Sequence, residues 1–379
     1  MQIVCRREDL VFGVRITSHA LGGKSSMPIL GGIRIQKVPH GVELTATDLE
    51  RAIRCQVPAQ VEGEGAVVCQ GQVLAQLVTR LPEVDEVTLT ETDGKVRLRC
   101  GEAVFDLLTL ATEEFPEPEK PSGDPLCEIS LPSLLQAISQ TAFAALRATE
   151  TTRLALTGVD MVFRDGTLKL AATNGYRLAI KRLAVDGLPE GYDGTFLVDA
   201  QILNDLARVL APVEAGNVAI YEQEGRLHFS AGPVLFSTRL VQEQFPDFER
   251  VVPRDSEIGL FLPREEFLEA LRRVEITATE ESGAVYLKAK GEETAVEVSS
   301  ASRDKGEGHE RVRLAKPPGK DIEISFKAEY LIDALKRMES PQVALWLSAP
   351  DRAGLLEPAG DIAPEDEGFI YVCMPIRLI

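Results

Sequence analysis

The stretch LFLPREEFLEALRRVEITATE, residues 260–280, combines an apolar strand with a helix that begins at a proline. Two other stretches have the same plan, IVCRREDLVFGVRI at residues 3–16 and ISLPSLLQAISQTAFAALRATE at residues 129–150. Pro132 and Pro263 suit the first turn of a helix, where the missing backbone donor is not needed. They lie 131 residues apart, so the chain contains a long internal repeat.

A second strand-helix pair recurs in the same phase, as VVCQGQVLAQLVTRL, FLVDAQILNDLARVL and ISFKAEYLIDALKRM. Leu74, Leu203 and Leu331 occupy matching points in these stretches, 129 and 128 residues apart. The repeats also end alike, 130 and 129 residues apart, at Phe115-Pro116, Phe245-Pro246 and Met374-Pro375.

We therefore predict three homologous domains, 1–125, 126–254 and 255–379, joined by Pro/Glu-rich linkers such as EEFPEPEKPSGDP. Each domain divides again into two halves, and each half offers a strand, a helix and alternating strands such as GVELTAT and GTLKLAAT. This predicts an α+β fold in which helices cover one face and antiparallel sheets form the other.

Composition indicates a globular chain. Of its 379 residues 44% are hydrophobic, and no apolar run reaches the roughly 18 residues of a membrane span. Charges fall within the first twenty residues, where a signal peptide needs an apolar stretch, so we expect a cytoplasmic protein. The six cysteines are scattered without CxxC or histidine partners, so we expect neither disulfides nor zinc, and no other cofactor.

No pattern indicates an enzyme. Gly23-Lys24-Ser25 resembles part of a phosphate loop, but the glycine required five residues earlier is Ser18, and a helix precedes the segment. The four histidines lack a nucleophile motif, and the carboxylates are spread as on a solvated surface. The net charge of −18 argues against a polyanion partner, although net charge does not fix the sign of one local face.

Over its full length the chain resembles the bacterial DNA polymerase III beta subunit, the sliding clamp. The resemblance is carried by LGGKSSMPILGGIRI and LTATDLE in the first domain, LAATNGYRLAI and EQFPDFERVVP in the second, and the terminal YVCMPIRLI. The family pattern usually has Asp at the position of Asn174, and His or Tyr at Tyr176. Asparagine also accepts the left-handed turn conformation.

The resemblance implies a head-to-tail homodimer, a closed ring with helices lining the hole and sheets outside. Twelve helices at about 9 Å spacing form a circle roughly 34 Å across, which leaves about 24 Å for a DNA duplex. The implied function is a non-catalytic processivity factor. The implied partners are sequence-independent double-stranded DNA, a second copy, the DNA polymerase III alpha subunit, the clamp loader and other proteins with a clamp-binding motif, with no membrane.

The resemblance also implies a partner-peptide pocket around the turn after LAAT. Methionine, proline and aliphatic groups give a plastic apolar surface, and Tyr176, Arg177 and Arg250 offer polar anchors at its rim. For the apolar members, ordinary core packing is the alternative. The implied pocket residues are Leu156, Thr173, Gly175, Tyr176, Arg177, Leu178, Pro246, Arg250, Val251, Val372, Met374, Pro375 and Ile376.

Basic residues near the ends of the second helix of each domain fall at matching repeat positions. They complement the helix dipole, and under the resemblance they also supply a sparse positive lining for non-specific DNA contact. The expected DNA-contacting residues are Lys24, Arg80, Arg147, Arg153, Arg208, Arg272, Arg273, Lys336 and Arg337.

The dimer seam is expected to join the first domain of one chain to the third domain of its partner. The expected elements are the edge strand AVFDLLTL, with Leu108 and Leu110, and the region of Val274 and Ile276 with the strand TAVEVSS. A monomeric three-domain scaffold and an enzyme of unknown chemistry remain as alternatives. A mass measurement in solution separates the scaffold from the ring.

Overall fold

The computed structural model describes residues 1–23 and 27–376. Across these ranges the chain folds into six successive units, each a strand, an α-helix and three antiparallel strands. This confirms the predicted α+β fold.

The first repeat consists of β1 (Gln2–Arg6), α1 (Arg7–Thr17), β2 (Gly32–Val38), β3 (Gly41–Thr47), β4 (Arg51–Glu62), β5 (Ala66–Gln70), α2 (Gly71–Val78), β6 (Glu86–Thr92), β7 (Lys95–Cys100) and β8 (Ala103–Leu110). The second consists of β9 (Cys127–Ser130), α3 (Leu131–Thr141), β10 (Gly158–Arg164), β11 (Thr167–Thr173), β12 (Arg177–Ala184), β13 (Asp193–Asp199), α4 (Ala200–Leu210), β14 (Asn217–Gln223), β15 (Arg226–Ala231) and β16 (Val234–Arg239).

The third repeat consists of β17 (Ile258–Pro263), α5 (Arg264–Glu275), β18 (Ala284–Ala289), β19 (Ala295–Ser302), β20 (Gly306–Arg313), β21 (Ile322–Lys327), α6 (Ala328–Leu335), β22 (Gln342–Leu347), β23 (Gly354–Ala359) and β24 (Phe369–Cys373). The helix starts differ slightly from prediction. Pro132 lies inside the first turn of α3, whereas Pro263 is the cap residue that ends β17.

Two hairpins show why the strands turn where they do. Asp165-Gly166 and Glu224-Gly225 each have two consecutive positive φ angles, 51° and 68° in the first pair and 52° and 71° in the second. Such two-residue turns match the right-handed twist of the flanking strands. They fix the registers of β10 with β11 and of β14 with β15.

The chain packs into two compact units that differ from the three predicted domains. The first comprises residues 1–131 and 205–240, and the second comprises 132–204 and the chain from 241 onward. The second repeat is divided because β16 pairs with β4 of the first repeat, whereas β12 pairs with β24 of the third. The domain boundaries inferred from the repeat stay a prediction.

Each unit has its own sheets and core. The first contains a twelve-stranded sheet, in the order β1-β6-β7-β8-β5-β2-β3-β4-β16-β15-β14-β9, and β4 also pairs with β1. The second contains an eight-stranded sheet, β13-β10-β11-β12-β24-β23-β22-β17, and a four-stranded sheet, β20-β19-β18-β21. The central strand β3 is buried along its whole length, and this includes the polar side chains of Glu43, Thr45 and Thr47. Two strands leave backbone groups unpaired within these sheets: β20 is a terminal strand, and β8 pairs with β5 at only two positions.

Candidate functional site

The turn between β11 and β12 is shaped by a side chain. Asn174 Oδ1 accepts hydrogen bonds from the backbone N–H groups of Tyr176 and Arg177, each at 3.0 Å. Thr173 Oγ1 accepts from the Gly175 N–H at 3.0 Å and donates to the Arg177 carbonyl at 2.6 Å. Gly175 has φ +88°, which glycine adopts at no steric cost. The turn therefore projects Tyr176 outward, with 66% of the residue exposed.

An apolar floor lies beside this turn. Leu178 and Val372 are paired across β12 and β24, and both are buried. Phe248 packs on the same cluster, together with the half-buried Phe245 and Val252. The segment after β16 thus covers part of the sheet face.

The end of the last strand runs alongside the turn. The Met374 N–H donates to the Tyr176 carbonyl at 2.8 Å, and Met374 stays 43% exposed. Further along, the Ile376 N–H donates to the Ser325 carbonyl at 2.9 Å, and Ser325 Oγ donates to the Ile376 carbonyl at 2.7 Å. The first of these bonds holds Met374 against Tyr176, and the other two hold the following residues against Ser325.

All of the predicted pocket residues lie in the second unit. Tyr176, Met374 and Val251 are exposed apolar side chains, while Leu178 and Val372 are buried in the floor. The rest range from half-buried to exposed: Leu156, Thr173, Pro375 and Ile376 are half-buried, and Gly175, Pro246 and Arg250 are exposed, the last pairing with Asp247 at 2.9 Å.

Arg177 differs from the expected polar anchor at the rim. Its side chain is only 9% exposed, and it donates to Asp333 Oδ2 at 2.7 Å and to the Phe143 carbonyl at 2.9 Å. Its guanidinium carbon lies 4.6 Å from the ring centre of Tyr330 and 5.2 Å from that of Phe143. The guanidinium is therefore occupied within the chain and offers little surface to a partner.

Sequence reasoning missed Phe143, Tyr330 and Asp333, which surround Arg177. The available signal was a repeated Arg and Asp spacing. Arg51 pairs with Asp205, 154 residues further on, and Arg177 pairs with Asp333, 156 residues further on. Periodicity within one element does not show such a pairing.

Comparison with known proteins identifies the architecture. Family models match three successive stretches: the DNA polymerase III beta subunit N-terminal domain at residues 1–119, its central domain at 128–247 and its C-terminal domain at 249–377. The chain belongs to the DNA polymerase III beta subunit family. This family comprises sliding clamps, the non-catalytic processivity factors of DNA polymerase.

Relatives match this beta subunit chain from end to end. It is 27% identical to the beta sliding clamp of Synechococcus elongatus, covering 100% of both chains, and 28% identical to that of Staphylococcus aureus, covering 100% of this chain and 99% of the relative. The sliding clamp structure from Bacillus subtilis matches with a TM-score of 0.91 at 27% identity over 100% of both chains. The Pseudomonas aeruginosa sliding clamp bound to griselimycin matches with a TM-score of 0.91 at 26% identity, also over 100% of both chains.

The basic residues expected to meet DNA fall into two groups. Arg208 pairs with Asp205 at 2.8 Å, Arg272 pairs with Glu269, and Arg273 donates to both carboxylate oxygens of Glu310 at 2.5 and 2.7 Å. Of the expected DNA-contacting residues, Arg80, Arg147, Arg153 and Lys336 are exposed and have no ion pair with another described residue. Lys24 lies outside the described residues.

Arg337 belongs to the Arg177 cluster. Its guanidinium carbon lies 4.1 Å from the ring centre of Phe143, and it donates to the Asp333 carbonyl at 2.6 Å. Burial lowers the pKa of Arg337, with nearby Asp333 opposing the shift. Because Arg337 is half-buried, it is a weaker candidate for DNA contact than the exposed cations, and its contact with DNA stays a prediction.

The residues expected at the seam also divide. Leu108 is 58% exposed and Ile276 is 70% exposed. Val274 is 2% exposed within its own domain, and Leu110 packs against Ile29, Leu30, Val68 and Phe115. Two residues that the sequence reasoning left out, Val104 and Phe105, are 47% and 38% exposed on the same strand, β8.

The rest of the described chain was compared with the requirements of a metal site, a membrane span and a reactive thiol. Among the described residues, no group of three or more His, Cys, Asp or Glu is arranged to hold a metal ion, and no described helix is long and apolar enough to cross a bilayer. Burial raises the pKa of several buried thiols to about 12, those of Cys5, Cys55, Cys69, Cys127 and Cys373. A cavity of about 850 Å³ in the first unit, lined by residues such as Phe12, Val57 and Pro212, shares no residue with the pocket.

Proposed function

We propose that the chain closes into a head-to-tail homodimeric ring around duplex DNA and tethers DNA enzymes through the Tyr176 pocket. As a member of the beta subunit family, it is a DNA polymerase processivity factor in DNA replication. The proposed site of action is the cytoplasm. The three domains 1–125, 126–254 and 255–379 are proposed as the repeating modules of the ring.

The tethering proposal is carried by the exposed apolar pair Tyr176 and Met374. They adjoin the same end of the β12–β24 strand pair, each two residues from a member of the buried pair Leu178 and Val372. An apolar side chain of a partner that covers them would be largely removed from water. Large exposed apolar groups beside such a floor are typical of peptide-binding surfaces. The proposed occupants are tail segments of the DNA polymerase III alpha subunit, the clamp loader and other clamp-binding proteins.

The ring proposal is supported by two sheet ends. β20 is the terminal strand of the four-stranded sheet, and β8 meets β5 only through Thr109 and Leu110. The exposed part of β8 carries Val104, Phe105 and Leu108, and a flat apolar edge of this kind pairs readily with another strand. Pairing β8 of one copy with β20 of the other would cover both ends.

The seam proposal accordingly rests on Leu108, Ile276 and the added Val104 and Phe105. Val274 and Leu110 are proposed to hold the seam strands in place without contacting the partner, because their side chains pack inside their own chain.

The DNA proposal rests on the sparse exposed cations. Arg80, Arg147, Arg153 and Lys336 are the primary candidates, and Lys24 stays a proposal outside the described residues. Arg272 and Arg273 can exchange a solvent-accessible carboxylate for phosphate, since surface ion pairs contribute only about 0 to 1 kcal/mol. Arg208 is itself 61% exposed and can turn to phosphate, because its buried partner Asp205 keeps its ion pair with Arg51. A ring that slides needs weak, salt-sensitive contacts of this kind.

A retention assay tests the ring. The protein is loaded by the clamp loader onto nicked circular DNA, and the complex is washed in salt that strips ordinary DNA-binding proteins. We expect retention on the circle and rapid loss once the circle is cut, because a topological link ends at a free DNA end. Equal retention on the circular and cut forms would contradict the ring.

A binding assay tests the pocket. The double substitution Met374→Ala with Pro375→Ala is expected to weaken binding of a labelled alpha-subunit tail peptide about tenfold or more, as loss of a central apolar contact does at interfaces. The dimer mass should remain twice 41.4 kDa. Unchanged peptide affinity would place the site elsewhere.

A further inference from the structure

The guanidinium group of Arg177 is largely enclosed by other residues of the chain. Asp333 and the Phe143 carbonyl take two of its guanidinium nitrogens, and the rings of Phe143 and Tyr330 lie within 5.2 Å of the guanidinium carbon. Its third nitrogen, Nε, is buried. Little of this guanidinium is therefore left for a partner to contact, whereas Tyr176 is 66% exposed.

The main chain of Arg177 is part of the pocket wall. Its carbonyl accepts from Thr173 Oγ1 and its N–H donates to Asn174 Oδ1, so the guanidinium and the turn move together. Asn174 Nδ2 in turn donates to the hydroxyl of Tyr330 at 3.3 Å. The carbonyl of Tyr176 then fixes Met374 through its N–H. Tyr176 and Met374, two of the exposed apolar side chains of the pocket, are thus placed by a turn that is bonded to α6.

The first repeat contains the same fastening. Thr47 Oγ1 donates to the Arg51 carbonyl at 2.7 Å and accepts from the Leu49 N–H at 3.0 Å, and Asp48 Oδ1 accepts from the Arg51 N–H at 2.8 Å. Arg51 pairs with Asp205 on α4, as Arg177 pairs with Asp333 on α6. The turn and its ion pair therefore occur in both the first and the second repeat.

The two copies differ in what the turn presents. Glu50 and Arg239 occupy the places of Tyr176 and Met374, because the Arg239 N–H donates to the Glu50 carbonyl at 2.9 Å just as Met374 does to Tyr176. The two charged side chains are exposed and approach to 3.8 Å. The same turn and Arg–Asp ion pair thus present charged side chains at the first copy and apolar side chains at the second.

We infer that Arg177 is a positioning residue for the pocket, and that its ion pair with Asp333 holds the Tyr176 turn and Met374 in the geometry that a partner peptide needs. This inference rests on the proposed peptide-binding function of that pocket. It assigns recognition to the apolar side chains and placement to the buried ion pair.

The test removes Asp333, which acts on the turn through Arg177. The probe is a fluorescein-labelled peptide copied from the tail of the alpha subunit of the same organism, and binding to the full-length protein is followed by anisotropy. Asp333→Ala is expected to weaken binding about tenfold and to speed amide hydrogen exchange at Tyr176 and Met374. Asp333→Asn, which keeps the shape and one acceptor, is expected to weaken binding less and serves if Asp333→Ala does not fold.

The matched control is Asp205→Ala, which breaks the equivalent ion pair with Arg51. It is expected to lower thermal stability by a similar amount, to leave peptide affinity within about twofold of wild type, and to leave exchange at Tyr176 unchanged, since additivity holds for sites without shared partners. A general structural effect would move both variants alike, so equal affinity losses would overturn the inference.

Two further outcomes are distinct. If Asp333→Ala and Asp333→Asn bind the peptide as wild type does while Arg177→Ala does not, Arg177 contacts the partner directly and the inference is wrong. If the Met374→Ala with Pro375→Ala variant binds as tightly as wild type, the pocket itself is misplaced, and the failure belongs to the proposed function.

Discussion

Asp160 carries a carboxyl group into the sheet beside the pocket floor, and its removal should stabilise the protein. It pairs with Ala171 across β10 and β11, is 5% exposed, and its Oδ1 has no hydrogen-bond partner among the described residues. Burial raises the pKa of Asp160 to about 6 from 3.8, against the opposing charge of Lys169. Such a carboxyl is more easily protonated in the folded state than in the unfolded chain.

The sign and size follow from this shift. Below about pH 4 the group is neutral in both states and costs nothing, and as pH rises from about 4 to about 6 it ionises first in the unfolded chain, so stability falls. Above about pH 6 the full cost is present. A shift of about two pKa units corresponds to about 3 kcal/mol. This value is the upper bound of the free-energy cost. Because Asp160 is 5% exposed and one of its carboxyl oxygens has no partner in the described part of the chain, solvent reduces the cost little.

The perturbation is Asp160→Asn, which keeps the shape and removes the titration. Thermal unfolding at pH 8 should show a Tm up to about 6 to 12 °C higher than wild type for the unit that contains it, given about 2 to 4 °C per kcal/mol for 150 to 250 residues. At pH 5 about half of the gain should remain, because the unfolded carboxyl is then largely ionised while the folded one is not. The control is Asp165→Asn, an exposed carboxylate at φ +51°, where asparagine is also tolerated. A gain that is equal at both pH values, or a loss, would refute the reasoning.

Two other predictions concern the seam and the first unit. Phe105→Asp should place a charge in the proposed seam and lower the mass measured by sedimentation equilibrium from twice 41.4 kDa towards 41.4 kDa. The control Ile362→Asp changes an exposed loop residue and should keep the dimer. If the Phe105→Asp variant stays a dimer, the seam does not lie at β8. Arg54→Ala should destabilise the first unit by about 3 to 5 kcal/mol in urea unfolding. Arg54 and Glu43 form a buried ion pair at 2.7 Å, and without Arg54 the carboxylate would keep only Lys120, at 2.8 Å. An unchanged unfolding midpoint would show that this ion pair does not stabilise the unit.

The repeat made most of the fold predictable. Leu74, Leu203 and Leu331 are buried on the second helix of each repeat, and a buried helical position tolerates few residue types, so their spacing survived in the sequence. The turn at Asn174-Gly175 was also visible, because its conformation needs these residue types.

The role of Arg177 was less accessible for a physical reason. A charged residue after a turn is normally solvated, and only its pairing with Asp333, 156 residues away, buries it. The seam residues on β8 were ambiguous for another reason. AVFDLLTL has apolar residues at both alternating positions, so a period of two cannot say which of Phe105, Leu107 and Leu108 faces a partner.

Comparison of the two copies of the turn explains why the second repeat, and not the first, would form the pocket. The backbone frame and the Arg–Asp ion pair are the same in both, so the frame alone cannot create recognition. At the first copy the floor positions paired across β4 and β16 are Ala52 and Ser237, where the second copy has Leu178 and Val372 across β12 and β24. All four of these positions are buried within the chain, so the apolar area that a partner covers, worth roughly 25 cal/mol per Å², comes from the exposed side chains beside them.

The exposed pair above the floor adds to the same difference. Glu50 and Arg239 keep their hydration and attract each other, so covering them with an apolar peptide would cost desolvation, whereas covering Tyr176 and Met374 releases water from apolar surface. The same turn frame thus occurs in both places, and the exposed side chains that it presents favour an apolar tail only at the second. The transplant Tyr176→Glu with Met374→Arg would carry the charged pair of the first copy into the second, and peptide binding should then be lost while Arg177 and Asp333 stay paired.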